Sequence, residues 1–174
     1  RLLRGAAGGP HLFAQVVLIS SHAPWVPVPR LLPWAELGDG AAFDAMARAG
    51  DPPEEVWRDP DRVRKAYRDA LDYSLRTVAD YALSHARDPP LMIVLGDHQA
   101  APWVAMDERP DVPIHLIGPA PLVERAAAWG FAPGLVPPAG QPVLPMDRMR
   151  DLILGGFEPD AAAGGCGSGC LAVK

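Results

Sequence analysis

Asp97 and His98 stand side by side, directly behind Gly96, in the stretch LMIVLGDHQAAP at residues 91–102. A carboxylate and a neutral imidazole both ligate divalent cations, and adjacent loop residues can turn both side chains toward one ion. Gly96 would permit the tight bend this needs. An Asp-His pair after a strand is more often a turn with a capping Asp, so on the pair alone the metal signal is weak. A second imidazole, His22, follows Ser20 and Ser21 at the end of FAQVVLISS, residues 13–21.

The other polar groups have simpler uses. His115 lies inside the apolar run VPIHLIG and is expected as a core histidine with its ring nitrogens satisfied. His85 falls near a helix C-terminus, where positive charge suits the helix dipole. His11 is expected to be solvated, Asp39 reads as a turn residue between two glycines, and Arg30 as a surface cation that could pair with an anionic group. Gln99 could orient a ligand from behind. Trp25 and Trp34 flank a proline-rich loop and could wall a pocket, although packing that loop is the simpler use. Cys166 and Cys170 sit in GGCGSGC without the further ligands a zinc site needs, and read as part of a flexible tail.

These groups need elements to hold them. Residues 13–21 and 91–95 are apolar runs of buried-strand length, and VPIHLIG is a third. After the first run, APWVPVPRLLPW carries four prolines in twelve residues, which forbids a regular helix or a central strand. A short helix is predicted over residues 41–49. A long one begins at Asp59, a natural N-cap with Pro60 behind it, and Val63, Tyr67, Ala70, Leu71, Ser74 and Val78 recur on one face. Two more helices are predicted, over PLVERAAAWG ending at Gly130 and over MDRMRDLILGGF. The order of elements predicts an α/β domain: a layered, mostly parallel sheet flanked by helices, with ligands collecting beyond the strand C-termini. Three strands are few for such a sheet, so an N-terminal part is expected to be missing. Residues 1–158 would be one domain portion and 159–174 a Gly/Ala-rich tail.

The chain has 174 residues, 49% of them hydrophobic and 21% charged, with a formal charge of −5. That suits one globular domain, and it gives no basic footprint for nucleic acid. No apolar run is long enough to span a bilayer, and the start lacks a signal-peptide layout.

Four landmarks, in order, resemble the alkaline phosphatase and sulfatase superfamily across about residues 13–119. MIVLGDHQ is similar to that superfamily's metal-binding Asp-His strand end, and VVLISSHAPWVPVP to its strand and Pro-rich loop carrying a substrate-side His. AYRDALDYSLRTVADYAL looks like the helix before the Asp-His strand, and DVPIHLIGP like the strand after it. The likeness is nearest to membrane-anchored sulfatase-like proteins with Gln after Asp-His, and AAWGFAPGL and PMDRMRDLI fit their C-terminal part.

The resemblance implies that Asp97 and His98 ligate a divalent ion (Zn, Mn, Ca or Mg) and that His22 is catalytic, facing the substrate or its leaving group. It implies a hydrolase or transferase of phosphate or sulfate esters, the substrate being an anionic ester that could be lipid- or glycan-linked. The parent protein would be membrane-associated, with its catalytic domain outside the cytoplasm. The nucleophile and first acidic ligand would precede Arg1, and no Cys-x-Pro-x-Arg sequence is present, so the chain alone is expected to be inactive. The alternative is a non-catalytic α/β binding or scaffold module that keeps the fold without a working site. A Ser-His-Asp hydrolase is disfavoured because no G-x-S-x-G elbow occurs.

Overall fold

A computed structural model describes residues 12–157. Along them run α1 (Ala41–Ala49), the single turn α2 (Pro53–Val56), α3 (Pro60–Ser84), β1 (Met92–Leu95), the single turn α4 (Pro102–Ala105), β2 (Ile114–Ile117), α5 (Ala120–Ala127) and α6 (Arg148–Gly156). They belong to two compact units. One holds the chain up to Tyr81 together with Ala100–Glu108, the other Ala82–Gln99 and the residues from Arg109 onward. His11, Cys166, Cys170 and the predicted tail lie outside the described residues.

In the first unit, α3 forms as its spacing predicts. The Asp59 carboxylate accepts the Asp61 N–H at 2.9 Å and the Asp59 carbonyl accepts that of Val63 at 3.1 Å. The first bond satisfies one of the helix's orphan donors and the second is the opening rung of the helical ladder. Val63, Ala66, Ala70 and Ser74, spaced by three and four, are its buried stripe. Val63, Ala66 and Ala70 pack with Trp25, Val56 and Val104 into one hydrophobic cluster, against which Tyr67 and Val28 also lie. The outer face carries ion pairs one turn apart, Lys65 with Asp69 and Arg76 with Asp72.

The predicted strand over residues 13–21 differs. Residues 12–18 have no regular structure, and Ile19–Ser21 form a 3-10 turn. A strand exists only with a neighbour for its N–H and C=O groups, and among the described residues none pairs with this run. Its apolar side chains stand in solvent, Phe13 at 89% and Val17 at 72% exposure.

In the second unit, β1 and β2 pair antiparallel, with Met92 opposite Ile117 and Leu95 opposite Ile114. Parallel neighbours need a crossover element of real length, and the only helix between these strands is the four-residue α4. Gly118 is required where the strands meet, since a Cβ there would come within 2.9 Å of the Leu91 Cα. This pair is the sheet among the described residues. A layered, mostly parallel sheet is therefore a property to propose for a larger domain.

Candidate functional site

β1 ends at Leu95, and the Gly96 N–H continues the ladder by donating to the Pro113 carbonyl at 3.2 Å. A side chain at position 96 would press its Cβ to 3.2 Å from that of Val112, so glycine lets the turn leave the sheet closely. Asp97 Oδ1 then accepts the backbone N–H of His98 at 3.0 Å. The His98 Nδ1 lies 2.9 Å from the Gln99 carbonyl. In the neutral ring this makes Nδ1 the donor and leaves the Nε2 lone pair open, the arrangement in which metal-binding histidines are commonly held. Gln99 itself does not point at the pair; its side-chain amide donates to the Asp111 carbonyl and braces the turn.

The result is convergence. Asp97 Oδ2 and His98 Nε2 stand 3.8 Å apart, on side chains 89% and 70% exposed. A tetrahedral zinc site, with bonds of about 2.1 Å, needs these two atoms about 0.4 Å closer, within the rotational freedom of exposed side chains. The donor chemistry fits a divalent ion, but two donors are part of a ligand set. No cluster of three or more His, Cys, Asp or Glu able to hold an ion occurs among the described residues.

His22 lies in the first unit, in the turn after Ile19–Ser21. Its backbone N–H donates to the Ile19 carbonyl at 3.0 Å, and its Nδ1 lies 2.8 Å from the Ala23 carbonyl. The exposed ring therefore presents Nε2, as His98 does. Trp25, next in the loop, is a core residue: it is 8% exposed, its backbone takes a φ of +61°, and its indole N–H donates to the Ser21 carbonyl at 2.9 Å. The loop contains two cis peptide bonds, Ala23-Pro24 and Val26-Pro27.

The remaining candidates sit in plain structural roles. His115 is half-buried on β2 and not the core histidine expected, although its Nε2 lies 2.8 Å from the Leu135 carbonyl; His85 Nδ1 lies 2.9 Å from the Ser84 hydroxyl at the end of α3. Asp39 accepts the Ala41 N–H at 3.1 Å, opening α1 as a turn residue does. Trp34 packs edge-on to Tyr81 at 5.9 Å. Arg30 is exposed.

Two features have no sequence-level expectation behind them. Trp57 stacks on Trp25 with centroids 5.6 Å apart and planes at 8°, and donates its indole N–H to the Pro24 carbonyl at 3.1 Å. In the second unit, a cleft of about 560 Å³ opens beside the end of β1, lined by Leu95, Asp111, Ile114, His115, Phe131 and Leu135 among others. The density of Pro and Gly over residues 130–142 was the available signal for a non-regular wall there. Compared with protein-family models, with curated proteins and with solved structures, the chain finds no match in any of the three.

Proposed function

We propose that the chain is part of a metal-dependent hydrolase or transferase of phosphate or sulfate esters, of the alkaline phosphatase and sulfatase kind its sequence resembles. The observation that carries this is the approach of Asp97 Oδ2 and His98 Nε2 to 3.8 Å, with the other ring nitrogen engaged by a backbone carbonyl. Under this proposal the pair supplies two ligands, and the others, with the nucleophile, come from sequence preceding Arg1. A bound divalent ion would activate the nucleophile and neutralise charge on the transferring oxygens. Asp97 and His98 hold that charge in place, and Gln99 fixes the turn that carries them. His22 presents Nε2 to the substrate: with Nδ1–H donating to the Ala23 carbonyl, Nε2 of the neutral ring is a proton acceptor, and the doubly protonated ring donates from Nε2 to an ester oxygen or serves as the acid for the leaving group.

The substrate under this proposal is an anionic ester, lipid- or glycan-linked, and the parent protein is membrane-anchored with its catalytic domain outside the cytoplasm. No helix among the described residues is long and apolar enough to cross a membrane, so the anchor is assigned elsewhere. A layered, mostly parallel α/β sheet for the complete domain belongs to the same proposal.

The test is metal binding by the 174-residue chain, with Zn²⁺, Mn²⁺, Ca²⁺ and Mg²⁺ titrated separately and the His98 ring followed by nitrogen NMR. One of these ions is expected to shift Nε2, and Asp97→Ala to weaken that ion's binding by about tenfold or more. In the parent enzyme the same substitution removes about a thousandfold or more of the turnover. Unmoved His98 resonances with all four ions in the parent protein, where the remaining ligands are present, would end the ligand assignment. A second reading, a non-catalytic binding or scaffold module, draws on the absence of a third ligand among the described residues. It predicts full function of the parent protein when Asp97 is replaced.

A further inference from the structure

The two carbonyls that flank the His22–Ala23 pair are each held by an indole. Trp25 donates its N–H to the Ser21 carbonyl at 2.9 Å, and Trp57 donates its own to the Pro24 carbonyl at 3.1 Å. The two rings are stacked, and Tyr67 meets Trp25 edge-on at 5.2 Å. Between these clamps, the Ala23 carbonyl is directed to His22 Nδ1 at 2.8 Å.

Trp25 holds a left-handed backbone that a residue with a Cβ adopts at a cost, and such a conformation persists where the surroundings over-determine it. Burial of the Trp25 ring in the cluster of Val56, Val63 and Val104 supplies part of that determination. Trp57 is different, since 43% of it remains exposed and core burial alone does not account for its placement. Its contribution is the stack and the N–H.

We propose that Trp57 is a positioning residue for His22: its indole fixes the Pro24 carbonyl and braces Trp25, so the intervening Ala23 carbonyl is aimed at Nδ1 and Nε2 is the nitrogen presented outward. The proposal rests on the role assigned to His22, but the orientation can be read without turnover. A hydrogen bond of ordinary net strength biases two tautomers by about fivefold, and that bias is lost when the carbonyl is free to turn.

The test uses the 174-residue chain, with His22→Gln identifying the His22 ring signals. In the unmodified chain at a pH where the ring is neutral, nitrogen NMR is expected to show mainly the Nδ1–H tautomer. The Trp57 indole proton is expected to exchange with solvent more slowly than that of a free indole, despite the ring's exposure. Trp57→Phe keeps an aromatic ring against Trp25 and deletes the N–H; it is expected to shift the tautomer ratio about fivefold toward Nε2–H with the helical circular dichroism unchanged. Trp103→Phe, which alters a ring packed edge-on to Trp57 at 6.4 Å without touching the hydrogen bond, is expected to leave the ratio alone.

An unchanged ratio in folded Trp57→Phe overturns the proposal. Should that variant fail to fold, free-indole exchange of the Trp57 proton in the unmodified chain overturns it instead. In the parent enzyme, a shifted ratio with unaltered turnover would uphold the positioning and remove His22 from the chemistry, so the two failures are distinguishable.

Discussion

Tyr67 sits half-buried against the edge of Trp25, and burial raises its phenol above the ordinary value of 10.0 because the low-dielectric surroundings disfavour tyrosinate. The sign of the consequence follows from proton counting. Below the ordinary value both folded and unfolded chains keep the phenolic proton, and the contribution of Tyr67 to stability is fully present. As the pH rises through it, the unfolded chain releases its proton first, so stability falls until the folded phenol also ionises. Urea melts between about pH 9 and pH 11 are therefore expected to lose less stability for Tyr67→Phe than for the parent chain. Parallel losses would mean that the phenol carries no burial penalty. The same microenvironment, built on Trp25, also reaches His22 through the loop, so the substitution tests a packing contact that underlies the candidate site.

At the scale of elements, α3 is the part whose stability has the plainest source. Val63 is fully buried, and truncating it to Ala removes two methyl-sized groups from a cluster shared with Trp25, Val56 and Val104. The expected cost is about 2 kcal/mol, measured by urea denaturation, against a change within about 0.5 kcal/mol for the exposed Leu83→Ala on the same helix. Equal effects would mean that the cluster is not what holds α3. This helix was legible in the sequence because its signals are local: a capping Asp59, Pro60, and apolar residues at helical spacing. β1 was legible for the same reason, as a short apolar run between Pro90 and Gly96. The direction of its pairing was not, since that depends on how the 18 residues between the strands are folded. Adjacency announced Asp97 and His98 as a pair, but the turn of both side chains to one side depends on Gln99, Asp111 and Pro113. The Trp57 clamp on Pro24 spans 33 residues and leaves no periodic or motif trace at either end.

For the molecule as a whole, the decisive segment is the run that reads as a strand and finds no partner. Residues 12–21, LFAQVVLISS, contain no charge and three β-branched aliphatic residues, and Phe13, Val16, Val17 and Ile19 are largely exposed. Unpaired backbone groups beside exposed apolar side chains are a template for association with another chain. The 174-residue chain is expected to self-associate at micromolar concentration, and Val17→Asp to raise the monomer fraction several-fold in sedimentation velocity without loss of helicity. The control Leu135→Asp, at a residue equally exposed but within the short Pro-Gly-Leu-Val-Pro stretch of residues 133–137, is expected to change association less. The sign of the Val17 effect also separates two architectures. If this run is a buried strand of the mostly parallel sheet proposed for the complete domain, a carboxylate at position 17 destabilises the parent protein by several kcal/mol even as it disperses the isolated chain. If the run lies in solvent in the parent protein too, the carboxylate leaves parent stability nearly unchanged, and with it falls the sheet on which the placing of His22 beyond a strand end depends.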